Sequence, residues 1–411
     1  MLTGRTVFVA VLLLRSAQTA TVRPSADAVR ILIEQESSVA EDADATKSLI
    51  RSNLAAPNRF RRPSDRYHGA LPKSPQSANA AVAATITRIG RPYPIRSAIA
   101  RRLETLESNC SAPIRQVPIT STTFMTGLGA DIHIWSQNTC WAMERGERIS
   151  SVGPWTWLDR RCNNNMPLGC YFRKLATPLC KQNAAVKTLP VDAETAAKIY
   201  KKCKEVIPGN MTSTSVFRQA TTEYLFSGGL SDLVLNEIQL QIRKVFGQDT
   251  TPVPLITVHI RWGDKAIEMD LATITEYVDA VHRILDRRRG RGQHDQPVHI
   301  FVSSEDPRAL PSFRKSAPDS WSLYGDAMVD EMKVFRPKDN SQFGGAVTAQ
   351  SMSRVEGTSS LGSLAIAMEA NEFVLVLGSN WSRLIDELRT AVIDPMCGGC
   401  TFSVPLRQGQ W

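Results

Sequence analysis

Beyond its first residues, the 411-residue chain has no apolar run approaching the roughly 20 residues a membrane-spanning helix needs. It carries no P-loop, no Gly-x-Ser-x-Gly elbow and no Gly-x-Gly-x-x-Gly opening a helix after a strand. Kinase, serine-hydrolase and dehydrogenase classes therefore lack their signatures. Aromatic residues amount to 7% and are not interleaved with basic ones, so an RNA-recognition surface is missing and no nucleic-acid partner is expected. The triplet Asp42–Asp44 has the shape of a metal-binding Asp-x-Asp, but it sits among further acids and reads as a solvated charge run.

What is present is an ordinary globular balance, 42% hydrophobic and 22% charged, in a chain long enough for two or three domains. A net charge of +9 favours anionic ligands without choosing among them. The start combines Arg5, an apolar run Val7–Leu14 and small residues at Ala17–Ala20. That is the pattern of a secretory signal or weak signal anchor over 1–20, which implies the secretory pathway, in the Golgi lumen or secreted, and membrane attachment at most through this segment. The cysteine count agrees: Cys110, Cys140, Cys162, Cys170, Cys180, Cys203, Cys397 and Cys400 are even in number and read as disulfide partners of undetermined connectivity. A zinc site or a redox Cys-x-x-Cys ranks below that, because the cluster repeats no Cys-x-x-Cys pair and the terminal one lacks a βαβ context. Asn109 in "NCS" and Asn210 in "NMT" are glycosylation acceptors in a lumenal chain.

Residues 21–105, rich in Ala, Ser, Arg and Pro, read as a stem or linker. The cysteine-laced stretch 106–245 reads as an N-terminal α/β domain, 246–395 as a second, more regular α/β domain and 396–411 as a tail. In the second domain "VPLITVHI", "PVHIFVSS" and "EFVLVLGS" are strands, and "TITEYVDAVHRILDRRR" places Ile274, Tyr277, Val278, Val281, Ile284 and Leu285 on one helical face. Strands alternating with helices predict a doubly wound parallel sheet, whose ligands sit outside the carboxyl ends of the strands.

Those ends are where charge accumulates. His259–Glu268 follows the first strand, Ser304-Glu305-Asp306 the second and Gly378-Ser379-Asn380 the third. Any one of these can be a solvated loop with a helix cap; three at one edge suggest a site. Arg261 offers a planar fork for phosphate oxygens and Lys265 a point charge. The helix opening at Ser379–Asn380 offers free N–H groups to an anion. Glu268, Glu305 and Asp306 are carboxylates able to accept sugar hydroxyls, and one of them could remove a proton. This is the outline of a nucleotide diphosphate held against a group to be deprotonated.

The stretch "VHIRWGDKAIE…TEYV" resembles the nucleotide-binding motif of the α-1,6-fucosyltransferases, the core N-glycan and nodulation enzymes. "IFVSSEDPRAL" is similar to that family's strand and acidic pair, and "EANEFVLVLGSNWSRLIDEL" to its last motif; "TGLGADIH" and "PWTWLD" resemble its glycine turn and tryptophan segment. The resemblance spans about 120–395 and implies two Rossmann-like α/β domains in a GT-B-like variant. It implies inverting, metal-independent transfer of fucose from GDP-fucose to a glycan hydroxyl, with no cofactor. His259 and Arg261 match diphosphate contacts, Asp264 a donor-site residue, Glu268 the general base and Lys265 its neighbour. Glu305 and Asp306 match the acidic pair, and Ser379 and Asn380 the phosphate-facing turn. Trp262 stands where the motif has a second arginine, and Leu364 near its guanine-binding aspartate. Alternative readings are a protein O-fucosyltransferase, another nucleotide-sugar transferase, or an inactive secreted glycan-binding protein on the same fold.

Overall fold

The structure, a computed structural model, describes residues 87–119, 127–152, 155–162, 166–176, 186–188, 214–263, 265, 269–293, 296–326 and 356–407. The chain divides into Met1–His68 and Gly69–Trp411, and every described residue belongs to the second unit. In chain order its main elements are α1 (Ala98–Ser108), β1 (Ile114–Pro118), α2 (Leu128–Glu144), β2 (Arg148–Val152), β3 (Val186–Thr188), α3 (Thr214–Phe226), α4 (Asp232–Phe246) and β4 (Leu255–His259). There follow α5 (Ile274–Arg289), β5 (Val298–Ser303), α6 (Ala309–Ser316), β6 (Trp321–Gly325), α7 (Glu356–Ala367), β7 (Glu372–Val376), α8 (Asn380–Leu388) and β8 (Phe402–Leu406). No helix among the described residues is long and apolar enough to cross a membrane.

Local chemistry sets the helix ends. Ser97 caps α1 by accepting the Ala100 N–H at 3.0 Å. Thr273 and Glu276 form a reciprocal capping box that fixes the start of α5. Helix α4 stops at Gly247, whose φ of +67° suits a residue without a Cβ.

The strands form two parallel sheets, one ordered β2-β1-β3 and one ordered β6-β5-β4-β7-β8. In the larger sheet β4 is central; the chain steps outward to β5 and β6, then crosses back to β7 and β8 on the other side. Alternate residues of each strand feed opposite faces, as the two-residue pleat requires. Leu255, Phe301, Phe373 and Leu375 enter one core with α4, α7 and α8. Ile256, Val258, Ile300, Val302, Val374 and Val376 enter the other with Tyr277, Val281 and Ile284 of α5. Each fully buried aliphatic or phenylalanine side chain contributes about 1.5–3 kcal/mol relative to exposure, which outweighs the weak strand propensity of so short a segment. The α/β class with a doubly wound parallel sheet is thus as expected.

Three features differ from the sequence reading. Residues 87–105, read as the end of a stem, belong to the fold: α1 begins at Ala98, and Ile89, Ile99, Ala100 and Leu103 are buried in the first core. Residues 396–411 are more than a tail: Phe402–Leu406 pairs in parallel with β7 as the fifth strand. Its Pro405 is tolerated because β8 is an edge strand, where a missing N–H costs no ladder bond on the open side. The two sheets fall on either side of Phe246, yet they share a core, since α4 packs on α7 and the first cluster mixes Leu128, Trp135 and Leu225 with Ile385 and Val392. Cysteines are paired: Cys162 bonds Cys170, Cys397 bonds Cys400, and Cys110 and Cys140 are each in a disulfide. Cys180, Cys203 and Asn210 lie outside the described residues; Asn109 is exposed at the end of α1.

Candidate functional site

In the larger sheet the order reverses between β4 and β7, the kind of switch point outside whose carboxyl strand ends such sheets form a ligand crevice. Of the expected residues, His259, Arg261, Lys265, Glu305, Asp306, Ser379 and Asn380 are described, at or just after the ends of β4, β5 and β7. His259 closes β4 and is buried, with Nδ1 at 2.6 Å from Ser382 Oγ on α8. Ser382 Oγ also accepts the Val376 N–H at 3.0 Å, and its hydroxyl can either donate to His259 Nδ1 or accept from it. Burial, and then the nearby Arg261 charge, pull the His259 pKa down to about 3. The residue is a neutral imidazole held against Ser382 in the first turn of α8.

Arg261 leaves the strand end half-buried and forms an ion pair with Glu305, at the end of β5. Its guanidinium also donates to the Trp262 carbonyl at 2.9 Å, and its backbone N–H donates to the Tyr277 hydroxyl at 3.3 Å. The Glu-Tyr of the motif is therefore structural. Tyr277 fixes the Arg261 backbone, and Glu276 caps α5 and pairs with Arg407 after β8 at 2.9 Å. Trp262, in place of a second arginine, lays its half-buried indole against the core on the α5 side and donates Nε1–H to the Ala272 carbonyl at 2.9 Å. It staples the loop that Arg261 opens.

Asp306 behaves differently from Glu305. Burial alone would raise its pKa, but hydrogen bonds from Arg308, with a further one from the Gly263 N–H, overcome that and hold it below the ordinary carboxylate range. Arg308 reaches both Asp306 oxygens, with contacts of 2.9 and 2.5 Å. Asp306 thus ties the loop after β4 to the loop after β5, while Glu305 reaches Arg261. Lys265 is half-buried in the same loop. Asp264 and Glu268 lie outside the described residues.

The fourth side of the crevice is the turn Leu377–Ser379 and the start of α8. Gly378 lies against Met269, where an added Cβ would come 2.8 Å from the sulfur. This close approach draws the β4 loop onto the β7 turn. Ser379 is the N-cap residue of α8 but its side chain makes no cap hydrogen bond, so first-turn N–H groups remain for another acceptor. From the other half of the chain comes Gly129, in the first turn of α2; a Cβ there would sit 3.1 Å from Asn380 C and Trp381 N. Two helix starts, those of α2 and α8, are thereby brought side by side, both presenting positive dipole ends.

Residues not singled out in the sequence complete this corner. His133 on α2 places Nδ1 at 2.9 Å from Asn380 Oδ1 and Nε2 at 3.1 Å from the Glu387 carboxylate. Arg383 donates to the same Asn380 oxygen at 3.2 Å. Burial, and then Arg218, bring the Arg383 pKa down to about 10. The signal for His133 was its place in "TGLGADIH", four residues after the second glycine, so it follows the glycine turn onto the helix. Asp326, at the end of β6, accepts from Ser303 at 3.4 Å and from Ser363 on α7. Leu364, beside Ser363, is fully buried in the apolar core. Among the described residues, ligand-type atoms of Asp394, Cys397 and Cys400 lie within 4.8 Å of one another. The two sulfurs are bonded to each other, however, and Asp394 is engaged by Thr401 and Arg389.

Neither a protein-family model nor a curated protein matches the chain. Among solved structures, the fucosyltransferase NodZ from Bradyrhizobium aligns at 12% identity over 67% of this chain and 93% of that one, with a TM-score of 0.39. The apo form of POFUT1 aligns at 11% identity over 72% and 98%, with a TM-score of 0.38. Likeness at this level leaves function to be reasoned from the chain's own residues.

Proposed function

We propose that the chain is an inverting glycosyltransferase that moves fucose from GDP-fucose to a glycan hydroxyl, of the α-1,6 type, in the lumen of the secretory pathway. The observation that carries this reading is the meeting of His259, Arg261, Glu305 and the open start of α8 at the switch point between β4 and β7. A cationic fork, a neutral imidazole and a helix dipole in one crevice suit a diphosphate. The motif resemblance supplies the sugar and the linkage.

In this mechanism Arg261, half-buried and oriented through Tyr277, stabilises the charge that develops on departing GDP. His259 contributes a neutral imidazole, without adding charge. Glu305 holds the Arg261 fork until the diphosphate takes its place. Glu268 is proposed as the base that deprotonates the acceptor hydroxyl, with Lys265 tuning it, and attack on the anomeric carbon then inverts the configuration. The cations of the site would make a metal unnecessary.

The test is purified protein incubated with GDP-fucose and a glycan array, with and without chelator, beside Arg261→Ala. Transfer that survives chelator and is lost in the variant supports the reading. Preference for a UDP-sugar sinks the fucosyl assignment, acceptance of folded protein domains alone favours protein O-fucosylation, and GDP-fucose binding without transfer marks a glycan-binding protein.

A further inference from the structure

In the sequence, Cys397-Gly398-Gly399-Cys400 lacks the βαβ context of a redox motif. The fold supplies it: β7 and β8 run parallel, α8 lies between them in the chain, and these four residues form the turn that leads into β8. Cys397 and Cys400 are bonded to each other there. What that bond contributes depends on what else holds the turn.

Stability is not its main contribution. A disulfide stabilises chiefly by restricting the unfolded chain, and the gain is smallest for a short loop; this one links residues three apart. The same turn is closed without it. The Asp394 carbonyl accepts the Gly399 N–H at 2.9 Å, and Asp394 Oδ1 accepts the Thr401 N–H at 2.9 Å and the Thr401 hydroxyl at 2.7 Å. Arg389 reaches the other Asp394 oxygen at 3.1 Å, and the Phe402 N–H donates to the Asn371 carbonyl at 2.9 Å as β8 begins. None of these contacts involves a sulfur.

Access distinguishes the two cysteines. Cys397, Gly398 and Gly399 are exposed, whereas Cys400 is half-buried against the first core. Both glycines have positive φ, and a Cβ built on either would meet nothing within 4 Å, so the outer side of the turn is bare backbone. The Cys400 N–H donates to Cys397 Sγ at 3.2 Å, which leaves a donor ready for charge on that sulfur. The pair follows a helical segment instead of opening one, so the dipole does not favour its thiolate and the disulfide is the resting form. In the other pair with both members described, Cys162 and Cys170 are each half-buried and packed on the first core.

We propose that Cys397–Cys400 is a thiol–disulfide exchange site, opened by a dithiol reductant while the fold stays intact. A thiolate of the reductant attacks Cys397 Sγ. The Cys397–Cys400 bond breaks, and its electron pair goes to Cys400 Sγ, which takes a proton from water. The second thiol of the reductant, once deprotonated, attacks its own sulfur in the mixed disulfide, and Cys397 leaves as a thiolate facing the Cys400 N–H before it too is protonated. Two electrons and two protons have then passed to the cysteine pair, and the reductant has become a disulfide. This site is independent of the donor reading.

The experiment is limited reduction of the full native chain with dithiothreitol, quenched at intervals with an alkylating label. Mass spectrometry reads each cysteine, and thermal melting follows the same samples. Cys397 and Cys400 should be labelled at least about tenfold faster than Cys162 and Cys170. Protein labelled at Cys397 and Cys400 alone should keep a cooperative transition close to that of the untreated chain. Two variants assign the attacked sulfur. Cys400→Ser, which leaves Cys397 as a single thiol, should form a mixed disulfide with oxidised glutathione about tenfold faster than Cys397→Ser does. Earlier or equal opening of Cys162–Cys170, loss of the folded transition when only Cys397 and Cys400 are labelled, or equal reactivity of the two variants overturns the inference.

Discussion

The neutral state of His259 can be tested without knowing any substrate. The unfolded chain protonates this side chain near its ordinary value of 6.5, whereas in the native state burial and Arg261 delay protonation to about 3. Between those two values the unfolded chain binds a proton that the native state refuses. Falling pH therefore favours unfolding, by about 1.4 kcal/mol for each pH unit and about 5 kcal/mol over the window. The sign is that of a depressed pKa: the stabilisation is complete above pH 6.5 and is lost as pH falls from there toward 3. His259→Asn keeps an oxygen able to accept the Ser382 hydroxyl and does not titrate, so it removes this term alone. Urea unfolding of both proteins at intervals from pH 4 to 8, with m-values compared, gives the difference curve. Other titrating groups cancel in it. The difference should be flat above about pH 6.5 and change by close to 1.4 kcal/mol per unit below it. Parallel curves for the two proteins would refute the buried neutral imidazole, and so would a His259 ring signal titrating near 6.5.

Other consequences follow from the packing. Burial first, opposed by the Ile149 N–H and Arg148, raises Glu107 to about 7; burial first, opposed by Arg88, likewise raises Glu369 to about 7. Their native forms hold protons that the unfolded chain releases near 4.5, so their own contribution to stability falls as pH rises from about 4.5 to 7, opposite in sign to that of His259, and Glu107→Gln should remove its share of that slope in thermal melts. Trp262→Arg, which restores the motif's charge, should cost about 1–3 kcal/mol in urea unfolding by stripping the indole from the core, without tighter GDP binding. Gly129→Val puts side-chain carbon against the Asn380–Trp381 backbone, so it should destabilise the fold by about 1–3 kcal/mol and weaken GDP binding in calorimetry. Arg288→Ala strands Glu372 at the half-buried start of β7 and should cost about 1–3 kcal/mol by the same unfolding assay.

The strand-end cluster was legible because its members lie close together in the chain. A hydrophobic run followed by His259, Arg261 and Lys265 needs only the alternation of strands and helices to place it at the carboxyl edge of a sheet. Helix α5 was readable for a similar reason, its apolar face recurring at helical spacing and its start marked by Thr273 and Glu276. Strands β6 and β8 were not, being five residues each at the sheet edges, one of them interrupted by a proline.

By itself, then, the sequence determined the α/β class, the central strands, the two-faced burial of each strand and the residue types gathered at the crevice. These depend on periodicities and neighbours that local chemistry enforces. The tertiary structure alone decided which partner each side chain takes. It gave Asp306 to Arg308, laid Trp262 against the core, set His259 neutral against Ser382 and joined His133 to Asn380 across 247 positions of chain. The reason is physical: a buried polar group must be satisfied by whatever donor or acceptor packing brings within about 3 Å, and that partner is chosen by strand order and helix seating rather than by proximity in sequence.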